Sequence, residues 1–455
     1  MINKTLLTAS FLLTLGFSQA QNADQSLSND SLTKLLNVVK HDVDNLKNIK
    51  VSGWIQAQMQ WADSNGVANF DGGNFAPNSD KRFMIRRGRV KFTYNQKNSQ
   101  YVMQINGTER GLNLVEIYGV YTEPWLKSIS LTAGVMNRPF GFEIAQSSVD
   151  RESPERSRYT QILMPNERDL GAKLSYLAPA ESPLHGLRID AGMYNGQGVN
   201  VPGTTTTAGY PANTFPTTGV NEFDFQKDFI GRLSYYRGFK NDKVKIGLGA
   251  SHYNGGYICQ SNKVYKDLAA NAAGYNDWKA ADTSTIAYKG KIAPRVYTGV
   301  EAFFSISTPV GTTTLRGEYI MGTQPGTSTS SASPSTLPGS TTIYIRQFNG
   351  FYAYFIQRIA KTKHEVLVKF EAYDPNTKIS GKDMLGTGKN SFTGADIKYT
   401  QLGIGYNYYL DPHVKFMLHY NIITNETTGD GTTGISGFTK DLKDNILTLR
   451  MTYRF

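Results

Sequence analysis

Three cations at alternate positions, Arg87, Arg89 and Lys91, are the side chains of this sequence best suited to act on anions. Alternate residues of a β-strand point to the same face and lie about 7 Å apart, so these three would form a ladder along one side of a strand. Guanidinium groups carry fork-shaped donors that match phosphate and carboxylate oxygens. The spacing therefore predicts a surface that recognises anions.

A second group of arginines lies in the segment 137–168, which carries five arginines and five carboxylates. If this segment folds into a channel and narrows it, Arg138, Arg156, Arg158 and Arg168 would face the anions that pass. The alternative is that the opposite charges pair with each other and only hold the shape of the segment. The sequence leaves both interpretations open.

The ladder needs a strand, and strand patterns recur from residue 50 to the end of the chain. In the last segment, 445–455, apolar residues such as Leu449 and Met451 alternate with polar ones such as Thr448 and Arg450. A strand of about 9–11 residues with one apolar and one polar face is the unit that crosses an outer membrane. The pattern occurs sixteen times. It predicts an all-β fold, a transmembrane antiparallel β-barrel of 16 strands.

The connections between these segments alternate between long and short. The long ones are rich in Gly, Ser, Thr, Asn and Pro, as exposed loops are, and only the connection near 109–111 departs from the alternation by being short. Bacterial outer-membrane barrels have long loops at one end and short turns at the other. The connections therefore support the barrel interpretation.

A barrel of this size encloses an aqueous channel. Cations on the lipid side would cost roughly 2–4 kcal/mol each near the membrane centre, so the ladder must face inward if its strand spans. The same alternation directs further cations inward, among them Lys173, Arg188, Arg232 and Lys369. It also directs six carboxylates inward, namely Glu116, Asp190, Glu301, Glu318, Glu365 and Glu371. The predicted lumen is mixed, with an excess of positive charge.

The first 49 residues have a different character. Residues 1–20 combine Lys4, a short apolar run at 6–17 and the small-residue site Ser18-Gln19-Ala20, which predicts a secretory signal peptide. Residues 21–49 predict a periplasmic amphipathic helical segment, since apolar residues recur at spacings of three and four. This segment is either a short coiled coil or a simple amphipathic spacer or plug-like lead-in to the barrel. The predicted organisation is thus 1–20, 21–49 and a barrel at 50–455.

Composition excludes several classes of protein. No apolar run approaches 18 residues, which excludes a helical membrane protein. Cys259 is the single cysteine, so the chain has neither a disulfide framework nor a thiolate metal cluster. Nucleotide-binding glycine loops and the HExxH motif are absent from the sequence. We therefore expect no cofactor, no metal and no nucleic-acid partner.

Four segments resemble the phosphate-selective porin O and P family: MIRRGRVKFTY at 84–94, NRPFGFE at 137–143, PNERDLGAKLSY at 165–176 and FEAYDPNT at 370–377. The resemblance implies a homotrimeric channel of sixteen strands for small anions, including phosphate. It also implies that the wall ladder at 87–91 and the basic residues of the segment 137–168 line the pathway. The final aromatic residue, Phe455, resembles the end signal of outer-membrane barrels, which implies recognition by the barrel-assembly machinery.

The function that these patterns favour is a passive outer-membrane porin biased toward anions, without enzymatic activity. Two other classes remain open. An adhesive or structural barrel could use the long loop 254–294 to bind a partner. An outer-membrane hydrolase would need a nucleophile and a base together on the rim, and no such set emerges from the sequence.

Overall fold

A computed structural model of the chain describes residues 29–198, 224–261, 263–281, 288–334, 342–386, 388–429 and 433–455. The chain divides into two units, Met1–Ile49 and Lys50–Phe455. The predicted signal peptide, 1–20, lies outside the described residues. In the first unit, helix α1 spans Asn29–Lys47. None of the described helices is long and apolar enough to cross a membrane.

The second unit is a closed antiparallel barrel of sixteen strands, which confirms the predicted fold class. Two further strands, Val264–Ala270 and Asn276–Ala280, form a hairpin that is not one of the sixteen wall strands. The strands in chain order are β1 (Ile49–Ala62), β2 (Lys81–Gln96), β3 (Ser99–Thr108), β4 (Gly111–Thr122), β5 (Ile129–Asn137), β6 (Arg168–Leu177), β7 (Leu187–Tyr194), β8 (Asp228–Phe239), β9 (Val244–Ile258), β10 (Val264–Ala270), β11 (Asn276–Ala280), β12 (Ile292–Thr308), β13 (Gly311–Gly326), β14 (Ile343–Ile359), β15 (His364–Asp374), β16 (Tyr399–Tyr409), β17 (Val414–Asn425) and β18 (Ile446–Arg454).

The barrel closes where β18 pairs with β1. The register runs from Ala62 opposite Ile446 to Trp54 opposite Arg454. Beyond it, the backbones of Gly53 and Phe455 exchange two hydrogen bonds of 3.0 Å. No free sheet edge is left at this seam, as a barrel in lipid requires.

The alternation of β18 has the faces that the sequence predicts. Thr448 and Arg450 point into the barrel and are 0% and 1% exposed, whereas Leu449 and Met451 point outward and are 44% and 43% exposed. The outer apolar face suits contact with lipid. The inner polar side chains are covered by other parts of the chain, so the interior is not an empty tube.

One end of the barrel carries the long connections and the other the short turns, with Glu109 and Arg110 as the short exception at the long-loop end. The sequence predicts a plain loop at 254–294, but this region contains the end of β9 and the β10–β11 hairpin. The hairpin is held by a short parallel pairing with β14 and by an apolar cluster around Trp278, Phe392 and Ile397. These contacts are long-range, which is why the sequence pattern alone missed the hairpin.

The connection between β5 and β6, residues 138–167, folds into the barrel and is called the inner loop below. It contains two short helices, α2 (Gly141–Ala145) and α3 (Arg158–Leu163). Apolar side chains of this loop, including Phe140, Ile144 and Leu163, join an apolar cluster with inward residues of the wall. The wall residues of this cluster come from β5, β7–β9 and β12–β15. The core of the protein therefore lies inside the barrel and fills part of it.

Candidate functional site

The inner loop is anchored at its beginning by a carboxylate on the opposite wall. Glu318 of β13 accepts hydrogen bonds from the backbone N–H groups of Phe142 and, at 3.2 Å, of Glu143. Gly141 precedes them with a φ of +64°, and a Cβ atom there would collide with the Glu318 carboxylate. Only glycine meets both requirements. The NRPFGFE segment thus fixes how the chain turns into the barrel.

Further along, Glu155 joins the loop to both sides of the barrel seam. Its carboxylate lies 2.8 Å from Nε of Arg86, 2.6 Å from an Nη atom of Arg87 and 2.9 Å from an Nη atom of Arg450. Burial alone would raise the pKa of Glu155, but these three guanidinium groups outweigh it and hold the pKa well below its ordinary value. Glu155 therefore stays charged and binds the loop to β2 and β18.

The contact between Arg86 and Glu155 is one that strict alternation along β2 does not predict. Consecutive strand residues point to opposite faces, yet Arg86 and Arg87 both reach Glu155 from inside the barrel. The alternation is interrupted at this position, as it is in a β-bulge, and β2 pairs with β3 only from Arg89 onward. The sequence did contain a signal for this interruption. Arg86 and Arg87 are adjacent in a membrane-spanning strand, and under strict alternation one of them would face lipid.

Two more ion pairs attach the loop to the far wall. Glu152 pairs with Arg316 of β13 at 2.5 Å, and Glu143 lies 3.7 Å from Nζ of Lys369 on β15. Both pairs are largely buried. Together with the contacts of Glu155 to β2 and β18, these pairs hold the inner loop close to the β12–β18 side of the wall and leave space beside it on the β2–β8 side.

The open side contains a cavity of about 640 Å³, called the open cavity below. It lies between the inner loop and the wall of β2–β8. Eight cationic side chains line it, namely Arg89, Lys91, Arg138, Arg156, Arg168, Lys173, Arg188 and Arg232. Among the residues that the structure describes, two carboxylates, Glu116 and Asp190, share that lining. The lining of this cavity thus carries more cationic than anionic side chains.

On the loop side of the open cavity, the arginines are held by carboxylates. Arg168 binds Glu116 at 2.9 Å and Glu167 at 2.5 Å, and Arg156 binds the other oxygen of Glu167. Burial would raise the pKa of Glu167, but Arg156 and Arg168 hold it below its ordinary value. These ion pairs set the shape of the loop, as the second interpretation of the segment expects, and they also keep two guanidinium groups on the cavity.

Across the cavity, the cations of the ladder on β2 have fewer close contacts with carboxylates. Arg89 makes no ion pair within the described residues; its guanidinium carbon lies 5.7 Å from the ring centroid of Trp54, and its buried Nε has no hydrogen-bond partner. Lys91 is 3.9 Å from Glu116, with its side chain 31% exposed. These two cations are therefore less tightly held by carboxylates than Arg156 and Arg168.

The third wall of the cavity is formed by β6–β8. Lys173 and Arg188 share Asp190, at 3.7 Å and 2.7 Å, and Arg232 pairs with Glu301 of β12. Each of these cations has a carboxylate partner, so their positive field is partly balanced. The balance remains positive overall because Arg89 has no carboxylate partner in the described part of the chain.

Comparison with solved structures places this geometry in a known architecture. OprB of Pseudomonas putida superimposes with a TM-score of 0.53 over 92% of this chain and 97% of that chain, at 9% sequence identity. The fold is that of an outer-membrane porin. The outer membrane channel DcaP of Acinetobacter baumannii aligns at 12% identity over 90% of this chain and 97% of that chain, with a TM-score of 0.47. An anion-selective porin from Comamonas acidovorans aligns at 10% identity over 90% and 99%, with a TM-score of 0.48.

No model of a protein family matches the sequence, and no curated protein matches it significantly. The porin architecture is therefore established by three-dimensional likeness and by the strand pairing of this barrel. The identities are low, so the likeness extends to the fold and not to the solutes that any of these proteins passes.

Three cations that the sequence singled out lie away from the open cavity of this porin-type barrel. Arg87 is 5% exposed and is bonded to Glu155 beneath the loop. Lys369 is bonded to Glu371. Arg158 stacks over Tyr399, with its guanidinium carbon 3.3 Å from the ring centroid. All three hold the inner loop or its surroundings in place.

Proposed function

We propose that this protein is an outer-membrane porin, a passive water-filled channel biased toward small anions, with phosphate as one candidate solute. What supports the bias is the open cavity, in which eight cations face two carboxylates. Rings of basic side chains favour anions in pores through their field and by replacing part of the hydration shell. The channel needs no energy source and no enzymatic step.

The pathway that we propose follows the β2–β8 side of the lumen. An anion entering from the long-loop end would pass the inner loop beside Arg156, and would meet Arg89 and Lys91 on one wall and Lys173 and Arg188 on the other. The cations that already have carboxylate partners would attract the anion through their electrostatic field. Arg89, which has no such partner in the described part of the chain, would supply hydrogen bonds.

The setting of this channel is part of the same proposal. Residues 1–20 would direct export, and Phe455 would serve as the end signal for barrel assembly. The apolar outer face would contact outer-membrane lipid, and three copies would assemble as a homotrimer. The resemblance of the sequence to phosphate-selective porins supports these expectations.

The test is the reversal potential of the purified protein in planar bilayers under a gradient of KCl. We expect the reversal potential to have the sign that corresponds to preferential passage of chloride over potassium. Phosphate added to the chloride solution should reduce the chloride current if it binds in the same cavity. A reversal potential of the cation-selective sign would refute the anion bias, and an absence of conductance would refute the channel itself.

A further inference from the structure

Three aromatic side chains meet inside the barrel on the short-turn side of the inner loop. Phe142 of the loop, Tyr236 of β8 and Phe303 of β12 have ring centroids 6.1–6.3 Å apart in every pairing. Each ring is only partly buried. Several other aromatic rings of the interior, such as those of Tyr253 and Tyr297, are fully buried in the core. The three rings, called the aromatic platform below, therefore offer an apolar surface within a polar lumen.

A glycine allows this platform to form. Gly247 of β9 stands directly between Tyr236 and Phe303 in the sheet, paired with one on each side. A Cβ atom at Gly247 would collide with the ring of Tyr236, so the ring lies flat over the backbone of β9. The Tyr236 hydroxyl donates to Glu301 at 2.6 Å and holds the ring in that position.

A cation lies next to the platform. Lys245 is two residues from Gly247 on the same strand and the same face, a distance of about 7 Å along the strand. Its side chain is 51% exposed, and the nearest carboxylate, that of Asp242, is 4.0 Å away and itself exposed. An ammonium group in this position is free to accept an anionic partner.

We propose that the aromatic platform and Lys245 form a subsite for organic anions that carry an aromatic ring. The ring would stack on Phe303 and Tyr236, and the carboxylate would bind Lys245. Offset or edge-to-face contact between rings supplies specificity beyond apolar burial, and the exposed ammonium supplies the charge complement. This subsite lies on the short-turn side of the inner loop. It deepens the proposed channel function and rests on it only in requiring a lumen that solutes can enter.

The test compares benzoate with acetate as blockers of single-channel chloride current. We expect benzoate to block at a concentration lower by about 3- to 10-fold, and more effectively when added from the short-turn side. Phe303→Leu keeps the apolar volume but removes the ring, and should abolish the difference between the two anions. Lys245→Gln should weaken the block by benzoate.

Matched controls lie beside these residues. Phe304 is on the outer face of the same strand, so Phe304→Leu should leave the block unchanged, as should Lys243→Gln in the adjoining turn. Equal block by benzoate and acetate in the wild type, or an undiminished preference in Phe303→Leu, would overturn the subsite. A reversal potential without anion bias would count against the proposed function and leave the benzoate comparison intact, so the two failures are distinguishable.

Discussion

Arg87 on the barrel wall and Glu155 on the inner loop form an ion pair of 2.6 Å in which both side chains are at least nine-tenths buried. The same carboxylate also binds Arg86 on β2 and Arg450 on β18. A single loop residue thus connects strands from the beginning and the end of the barrel. The inner loop is held by buried charge, which is strong only as long as every partner is present.

Removing the central charge should release the loop. In Glu155→Gln, several buried guanidinium groups lose their shared counter-ion, and we expect the free energy of unfolding to fall by about 3–5 kcal/mol. Because the loop then loses its attachment to β2 and β18, single-channel currents should become larger and noisier. Urea unfolding in detergent micelles and planar-bilayer recording measure the two effects.

The control for this change is Glu109→Gln. Glu109 pairs with Arg110 at 3.5 Å in an exposed turn, and exposed pairs contribute little, so the effect should stay within about 0.5 kcal/mol. If Glu155→Gln behaved like this control in both assays, the buried carboxylate would not be what anchors the loop.

Arg89→Gln should reduce anion selectivity without weakening the fold. Arg89 faces the open cavity and has no ion pair among the described residues, so its replacement removes positive field and leaves no carboxylate unpaired. We expect the reversal potential in a KCl gradient to move toward zero. The matched change Arg110→Gln removes the same charge from a side chain that is 64% exposed in a turn. An equal shift in both variants would mean that Arg89 acts only through the net charge of the protein.

Glu116→Gln should have the opposite effect on selectivity. Glu116 is one of two carboxylates on the open cavity and partly neutralises Arg168 and Lys91. The amide oxygen can still accept a hydrogen bond from Arg168, so the loop should keep its position while the cavity gains one positive charge. The anion-to-cation permeability ratio should rise, whereas Glu181→Gln in an exposed turn should leave it unchanged. A fall in the ratio would contradict the assigned pathway.

Acid should stabilise the barrel through Asp71, a residue of the loop between β1 and β2. Burial, reinforced by Glu155 and Glu371, raises the pKa of Asp71 to about 6 in the folded protein. Since this folded-state pKa lies above the ordinary value, the neutral form is favoured by folding, and its stabilising effect is lost as the pH rises through about 6. Between pH 7.5 and pH 5, this group should add about 1 kcal/mol to the free energy of unfolding.

The measurement is the urea midpoint at the two pH values for the wild type and for Asp71→Asn. The amide cannot titrate, so the variant should lose that part of the pH dependence. Asp242→Asn, at an exposed short turn, should retain it. A pH dependence that is the same in the wild type and in Asp71→Asn would exclude Asp71 as its source.

Alternation along the strands predicted the barrel because lipid and water impose opposite requirements on neighbouring residues. Arg450 and Leu449 are adjacent, and the structure turns one inward and the other outward. The same rule directs Arg89 and Lys91 to the interior, where both line the open cavity. Where one side of a strand must be polar, the alternation in the sequence is enough to predict which residues face inward.

The partners of the charged residues could not be predicted in this way. Arg158 has the residue type of a pathway cation, but the packing of α3 places it over Tyr399. Arg86 faces inward because β2 interrupts its alternation near Glu155. Both outcomes depend on how the inner loop docks against strands that are distant in sequence, and no local pattern encodes that docking.

The large sequence separation between the residues of these docking contacts constrains the order in which the barrel folds. The inner loop belongs to the β5–β6 connection, yet its anchors Arg316, Lys369 and Arg450 lie on strands that are synthesised much later. Contacts of such high sequence separation form late and slow folding. The first six strands must therefore wait with an undocked, partly apolar segment, which makes the interval before the final hairpins arrive the period in which a chaperone is most needed.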